Sequence, residues 1–184
     1  MFHVVFAVLL GLSLRAHGAV ILQYHHVSET LPAVTSVSSE TFTEHMQYLH
    51  DHKFTVIPLN ELIASLQAGQ PLTDKTVAIT FDDGYKNNYE EAAPILEKFG
   101  YPYTIFVNPE LIDEGKSYVM TWQQLKELAN KGALISNHTQ IHNYLHRKQP
   151  GESEEAWLAR TKEDILSAQQ RIKEEIGHDY KYLA

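Results

Sequence analysis

The chain has 184 residues, of which 21% are charged and 43% are hydrophobic, and this composition is typical of one folded globular domain. A formal net charge of −8 argues against a nucleic-acid partner, because 23 acidic residues outnumber 15 Lys and Arg. The chain contains no cysteine, which excludes disulfides, thiolate ligands and cysteine nucleophiles. Any metal must therefore be held by His and carboxylate side chains.

The N-terminus has the features of an export signal. An apolar run over residues 4–14 is followed by Ala16 and Gly18, whose small side chains fit the −3 and −1 positions of a cleavage site. We therefore predict a signal peptide over residues 1–18, a mature domain over 19–184 and a periplasmic or extracellular location. No Lys or Arg precedes the run, which leaves a membrane-retained anchor or a wrongly assigned start residue as alternatives, although the run is too short for an ordinary membrane span.

Apolar, β-branched segments alternate along the chain with segments of helical periodicity. Strands are predicted at residues 20–27, 54–57, 76–81, 103–107 and 133–136, with a sixth beginning at 180–183. Helices are predicted around Phe42, Met46 and Leu49, and at residues 61–68, 88–99, 122–131 and 154–176. This alternation predicts an α/β fold with a parallel sheet. The units are too few to close an eight-stranded barrel of about 250 residues, so we expect a truncated product.

Residue types that favour helix ends support these boundaries. Capping boxes are predicted at Thr41 with Glu44 and at Thr121 with Gln124, and Ser153 is expected to cap the last helix. Glycines that can end helices follow at Gly69, Gly100, Gly132 and Gly177. Pro94 is expected to kink or shorten the third helix.

Two acidic residues follow the third predicted strand, in the sequence Thr80-Phe81-Asp82-Asp83-Gly84. Enzymes with parallel sheets place their sites in the loops at the carboxyl ends of strands. An Asp-Asp-Gly segment can also be no more than a turn, since Asp accepts local backbone hydrogen bonds and Gly allows positive φ. Both interpretations are open on this segment alone.

Two histidines follow the fifth predicted strand, in His138-Thr139-Gln140-Ile141-His142. Their spacing lets both imidazoles face one metal ion, although 11 histidines in one chain also produce such spacings by chance. The segment is not the helical HExxH motif, because Thr139 stands where that motif has its glutamate base. One of Asp82 and Asp83 could instead complete a two-histidine, one-carboxylate ligand set while the other acts as a base.

Together the two motifs resemble polysaccharide deacetylases of the NodB-homology type, carbohydrate esterase family 4. The resemblance implies that Asp82 is the catalytic base, that Asp83, His138 and His142 hold a divalent metal, and that Thr139 steadies the histidine loop. It also implies an incomplete, distorted (β/α) barrel and hydrolysis of N-acetyl groups on N-acetylglucosamine-containing polysaccharides. Zinc is the expected metal, with cobalt, nickel or iron as alternatives.

The segment Gln23-Tyr24-His25-His26-Val27 resembles the exported poly-N-acetylglucosamine deacetylases of biofilm formation. Three later motifs of the family, including an arginine-containing strand end and a histidine general acid, are not found before Ala184. An inactive fragment that binds metal or sugar is therefore an alternative. A metallohydrolase of another substrate class is a further alternative, because ligands alone do not specify the bond that is cleaved.

Several other side chains could contact a substrate, but we assign them structural roles. Residues 85–87 are interpreted as a solvated loop with helix caps, and His25 and His26 as hydrogen-bonded strand-end residues. Aromatic residues that could stack on a sugar are interpreted as core residues; they are Tyr103, Phe106, Trp122 and Trp157.

Overall fold

The computed structural model describes residues 18–184. All but the last residue of the predicted signal peptide lies outside this range, so the signal peptide stays a prediction. Within the range, no helix combines the length and the apolar character needed to cross a membrane.

Parallel strands form the centre of the fold. They are β1 (Ala19–Tyr24), β2 (His26–Val27), β3 (Ser36–Val37), β4 (Thr55–Val56), β5 (Thr76–Phe81), β6 (Thr104–Val107) and β7 (Leu134–Asn137). The main sheet has the order β1-β5-β6-β7, β4 pairs with the start of β5, and β2 pairs with β3 in a small separate sheet. Every one of these strand pairs is parallel, which confirms the predicted α/β class.

Helices cover the connections between the strands. They are α1 (Ser39–Asp51), α2 (Leu59–Gln67), α3 (Ala93–Phe99), α4 (Pro109–Asp113), α5 (Trp122–Asn130) and α6 (Glu154–Ile176). The bounds of α6 are those predicted, with Ser153 accepting a hydrogen bond from the Ala156 amide and Gly177 in the left-handed conformation. The capping box of Thr121 and Gln124 is also confirmed.

The capping box predicted at Thr41 and Glu44 is wrong. Helix α1 begins earlier, because the extended residue Ser38 is the N-cap and its hydroxyl accepts a hydrogen bond from the Thr41 amide at 3.0 Å. Thr41 is therefore already inside the first turn. Helix α2 likewise begins at Leu59, two residues before the predicted start, because Pro58 with φ −59° leads directly into it.

The segment predicted as one helix over residues 88–99 has two parts. Asn88–Ala92 forms a π-helical turn, and α3 then continues to Gly100, which ends it at φ 66°. Pro94 cannot donate the backbone hydrogen bond that a regular helix would need here, and a wider turn before it accommodates the loss. A short helix after β6, α4, was not predicted.

The two ends of the sheet differ most from the sequence prediction. The first predicted strand divides into β1 and β2, and β1 is half exposed rather than buried, with Val20 53% and Ile21 49% exposed. Among residues 18–184, β5 is the one strand that pairs with it. The predicted sixth strand is reduced to a single parallel bridge between Leu183 and Asn137.

Side-chain alternation along β5 positions the acidic motif. Val77, Ile79 and Phe81 join the large core beneath the helices, whereas Ala78 joins a smaller cluster on the other side of the strand. Tyr103 and Phe106 are 7% and 4% exposed, which confirms their assignment to the core. With Phe81 anchored in the large core, Asp82 projects on the side of β5 that carries Ala78.

Candidate metal centre and catalytic carboxylate

The two predicted motifs meet at one edge of the main sheet. Asp82 and Asp83 follow β5, His138 follows β7, and β6 lies between these two strands. The His138 amide donates to the Val107 carbonyl of β6 at 3.0 Å, so strand pairing extends into the motif. Parallel strands thus bring together residues that are more than fifty positions apart in the chain.

Three side chains place their ligand atoms around one point. Asp83 Oδ1 lies 3.2 Å from His138 Nε2 and 3.3 Å from His142 Nε2. One ligand atom from each of the three residues lies within 4.8 Å of the others, and no other such group occurs among residues 18–184. The side chains of Asp83 and His138 are 11% exposed but that of His142 is 57% exposed, so the cluster is open to solvent on the His142 side.

The backbone of both motifs adopts an unusual conformation. Asp83, Thr139 and His142 have φ values of 67°, 67° and 55°, in the left-handed region that L-residues disfavour. Such residues cost of order 1–3 kcal/mol each and persist only where surrounding contacts hold them. Gly84, at φ 62°, comes so close to Val107 that an added Cβ would lie 2.9 Å from Val107 Cγ1.

Hydrogen bonds hold the histidine loop in this conformation. The Thr139 amide donates to Asn137 Oδ1 at 2.8 Å, and the His142 amide donates to Thr139 Oγ1 at 3.0 Å. The buried Asn108 amide group donates to the carbonyl oxygens of His138 and Thr139. Sequence reasoning missed Asn108 and Asn137, although their positions at the carboxyl ends of β6 and β7 gave a usable signal.

The imidazole of His138 is held in place through Nδ1, the ring nitrogen that faces away from Asp83. Its Nδ1 lies 2.7 Å from the Ala184 carbonyl oxygen, which can only accept, so Nδ1–H donates this hydrogen bond. The neutral ring then presents the lone pair of Nε2 toward Asp83. Metal-binding histidines are commonly held by such a bond from their second ring nitrogen.

Asp83 and His138 shift each other's pKa. Burial alone would raise the pKa of the Asp83 carboxyl, but the hydrogen bond and charge of His138 hold that pKa below its ordinary value. Burial alone would lower the pKa of His138, but its hydrogen bond to Asp83 and the charges of Asp82 and Asp83 raise it. A cation bound at Nε2 would exclude a proton from that nitrogen, so metal and proton would compete for His138.

Asp82 stands apart from these three donors. It is 2% exposed, and its backbone amide donates to the Tyr24 carbonyl of β1 at 3.0 Å. The side-chain amide of Gln23 donates to Asp82 Oδ2, and His25 Nε2 lies 3.9 Å from the same oxygen. Asp82 Oδ1 is buried and has no hydrogen-bond partner within the described part of the chain. One carboxylate oxygen is therefore held while the other is free to accept a proton.

The side chains first assigned structural roles differ in their positions. Tyr85 stacks on His26 with ring centroids 3.6 Å apart, and burial and the Asp83 charge raise the pKa of Tyr85 to about 12. Asn87 occupies the N-cap position of the π-helical turn, but its side chain makes no capping hydrogen bond and its amide nitrogen instead lies 3.0 Å from His26 Nδ1. Tyr85 thus belongs to the surroundings of the cluster.

The two tryptophans have the structural role that we assigned them. The indole N–H of Trp122 donates to Asp113, and that of Trp157 donates to the Leu145 carbonyl.

The fold and these clustered donors define a parallel α/β protein with a candidate metal centre. The family model described as polysaccharide deacetylase matches residues 69–184, and the chain belongs to that family. Membership confirms the resemblance seen in the two motifs.

Curated relatives carry matching descriptions. YxkH of Bacillus subtilis (strain 168), a candidate polysaccharide deacetylase, is 36% identical over 130 residues, which cover 71% of this chain and 45% of that protein. The poly-β-1,6-N-acetyl-D-glucosamine N-deacetylase of Escherichia coli (strain K12) is 26% identical over 146 residues, covering 70% of this chain and 21% of that protein. The chain thus spans less than half the length of these relatives.

Solved structures share the fold. IcaB from Ammonifex degensii matches with a TM-score of 0.76 and 26% identity over 92% of this chain and 74% of its own. The deacetylase PplD of Streptococcus pyogenes, solved in complex with acetate, matches with a TM-score of 0.76 and 23% identity over 89% of this chain and 71% of its own. At that identity, the second match shows the fold alone. The expected fold of the deacetylase type is confirmed.

Proposed function

We propose that the chain carries the metal-binding part of a polysaccharide N-deacetylase, which hydrolyses the acetamide groups of N-acetylglucosamine residues. The observation that carries this proposal is the convergence of Asp83, His138 and His142 within 4.8 Å, beside a buried carboxylate, Asp82. Family membership and the described activity of the Escherichia coli relative support the reaction and the substrate class.

The donors fit a divalent metal ion. Two imidazole nitrogens and one carboxylate oxygen form the ligand set of many catalytic zinc sites, which leave a further position for water or substrate. The exposed side of His142 provides access for both. Zinc is our first expectation, and cobalt, nickel or iron would suit the same donors. When bound, the ion lowers the pKa of a water ligand and polarises the acetamide carbonyl.

The protein's own side chains have separate roles in the proposed reaction. Asp83, His138 and His142 hold the ion, and Asp82 is the general base that takes the proton of the attacking water on its free oxygen, Oδ1. Thr139 and Asn108 keep the histidine loop in place through the backbone. The sugar amine must leave with a proton, which is a separate requirement from the base.

A second candidate is a chain that binds metal or sugar without turnover. It is favoured by one observation: the chain covers only 45% of YxkH and 21% of the Escherichia coli relative. Metal binding without acetate release would identify this candidate. Acetate release would exclude it.

The test is metal content combined with acetate release from β-1,6-linked N-acetylglucosamine oligomers. We expect one divalent ion per wild-type chain, loss of that ion in Asp83→Ala and His142→Ala, and retention of the ion without turnover in Asp82→Asn. The exposed carboxylate Asp51, which accepts from Gln47 on α1, provides the control variant Asp51→Asn. Metal retained by both ligand variants would contradict the assignment.

Export is part of the same proposal. It is supported by the apolar run over residues 4–14 and the small residues before Ala19. N-terminal sequencing of the chain recovered from a bacterial periplasm or culture medium tests it. A mature start at Ala19 is expected, and an intact Met1 would contradict cleavage.

A further inference from the structure

We propose that Gln23 is a positioning residue for the Asp82 carboxylate. The inference rests on the proposed function, in which Asp82 is the general base, and it assigns a role to a residue outside both sequence motifs. Gln23 lies on β1, and its side-chain amide donates to Asp82 Oδ2. It acts on the reaction only through Asp82.

Strand pairing determines which side chain of β1 reaches the base. In the parallel register of β1 and β5, Gln23 lies opposite Thr80 and Tyr24 opposite Phe81, and the Asp82 amide then donates to the Tyr24 carbonyl. Gln23, Thr80 and Asp82 line the same open cavity of about 490 Å³. The backbone of Asp82 and one of its carboxylate oxygens are thus both attached to β1.

The hydrogen bond makes the two carboxylate oxygens different. An ionised carboxylate only accepts, so Gln23 must present its NH₂ group, which fixes the rotation of the Asp82 side chain. Oδ1 stays buried, and no group of residues 18–184 forms a hydrogen bond with it. A base whose free oxygen has one orientation loses less entropy when it takes a proton from a water held nearby.

A packing role would predict a different outcome. Gln23 is exposed to the open cavity, so its side chain buries little surface and its replacement should leave the fold intact. His25 is not a substitute donor, because its Nε2 is 3.9 Å from Asp82 Oδ2, beyond hydrogen-bonding distance. Gln23 is therefore the side chain that makes a hydrogen bond to this carboxylate among the contacts described.

The experiment compares two variants of the full chain, loaded with Co²⁺, on β-1,6-linked N-acetylglucosamine oligomers. Gln23→Met keeps the length of the side chain but removes the donor, and Gln23→Glu places a second carboxylate against Asp82. We expect kcat to fall by about 10- to 100-fold in Gln23→Met, the range that loss of one hydrogen bond to a charged group allows, and further in Gln23→Glu. KM and the Co²⁺ stoichiometry should stay at the wild-type values.

Gln47→Glu is the matched control, because Gln47 also donates to an aspartate, Asp51 Oδ1 at 2.8 Å, but on the exposed face of α1. It should leave kcat unchanged. A raised KM with wild-type kcat in Gln23→Met would make Gln23 a substrate contact and overturn the proposal, and so would wild-type values of both. If Gln23→Met also loses Co²⁺ binding or melts at a lower temperature than the wild type, the fall in kcat would reflect a structural role and would overturn the proposal. Absence of turnover in the wild-type chain would instead overturn the proposed function, and the Gln23 role with it.

Discussion

The hydroxyl of Thr139 accepts a hydrogen bond from the backbone amide of His142, at 3.0 Å. Both residues have left-handed φ values, so this bond closes a turn that the backbone alone disfavours. Through it, Thr139, which offers no ligand atom, determines where the exposed side chain of His142, a proposed ligand, lies.

Replacement of Thr139 should therefore weaken metal binding without removing a ligand. We expect Thr139→Val, which keeps the shape but loses the acceptor, to lower Co²⁺ affinity by about 10- to 100-fold, as other losses of ligand-orienting bonds do. Calorimetric titration with Co²⁺ measures the change. Thr139→Ser keeps the hydroxyl and should bind like the wild type; equal affinities in all three proteins would contradict this role.

Gly84 should tolerate no side chain. Gly84→Ala places a Cβ 2.9 Å from Val107 Cγ1 at φ 62°, whereas Gly100→Ala has a similar φ of 66° and no heavy atom within 4 Å. We expect Gly100→Ala to cost about 1–2 kcal/mol of unfolding free energy for its φ alone. Gly84→Ala should cost about 1–3 kcal/mol more for the clash. Urea unfolding compares them, and equal losses would show that Val107 moves aside freely.

Metal affinity should fall as the pH falls. The pKa of His138 is raised by Asp83 and Asp82 despite its burial, so below that raised pKa the metal-free chain holds a proton there that the ion must displace. Below that raised pKa, affinity should drop by about tenfold per pH unit for one displaced proton. Titration with Co²⁺ from about pH 5 to pH 8 follows it.

The Asp82→Asn variant checks the cause of this pH dependence. Removing the Asp82 charge takes away one of the influences that raise the pKa of His138, so the midpoint of the binding curve should shift to lower pH. In the metal-free chain, the raised pKa of His138 also affects stability. This contribution is present below the pKa that His138 has in the unfolded chain, and it is lost as pH rises through the raised pKa of the folded chain. An unchanged midpoint would assign the pH dependence to another group.

The loop between His142 and α6 should loosen in acid. Hydrogen bonds from Arg160 and from the Gln149 amide lower the pKa of Glu152 from 4.5 to about 2. A lowered folded pKa means that this pair stabilises the fold above pH 4.5 and that its contribution is lost as pH falls toward 2. The difference in melting temperature between wild type and Glu152→Gln should therefore shrink over that interval. Glu154→Gln, at a more exposed ion pair with Lys148, is the control and should show a smaller difference throughout.

The parts of the fold that follow from local chemistry were predictable. Strand β5, the capping box at Thr121 and both ends of α6 depend on residues adjacent in the sequence. The π-helical turn before Pro94 and the half-exposed β1 were not predicted, because the first depends on how a lost hydrogen bond is accommodated and the second on which strands flank β1. Neither feature can be predicted from the spacing of apolar residues along the sequence.

For the candidate site, the sequence predicted which residues would meet in the cluster but not which groups hold them in place. Asp83, His138 and His142 follow strands, and parallel pairing brings them together. Gln23 and Asn108 were not predicted as site residues, because an amide side chain on a strand or directly after one is compatible with many surroundings. Their contacts with Asp82 and the histidine loop appear only once β1, β5, β6 and β7 are paired.

Because the proposed ligands follow separate strands, metal binding at this site would be linked to folding. Asp83 follows β5 and both histidines follow β7, so the donors converge only when β5, β6 and β7 are paired in register. An ion that binds this arrangement and not the unfolded chain adds about 2.7 kcal/mol to the unfolding free energy at a hundredfold excess over its dissociation constant. If the proposed ion binds, it would offset part of the strain in the left-handed residues, and metal supply during folding would then affect how much of the chain reaches the native state.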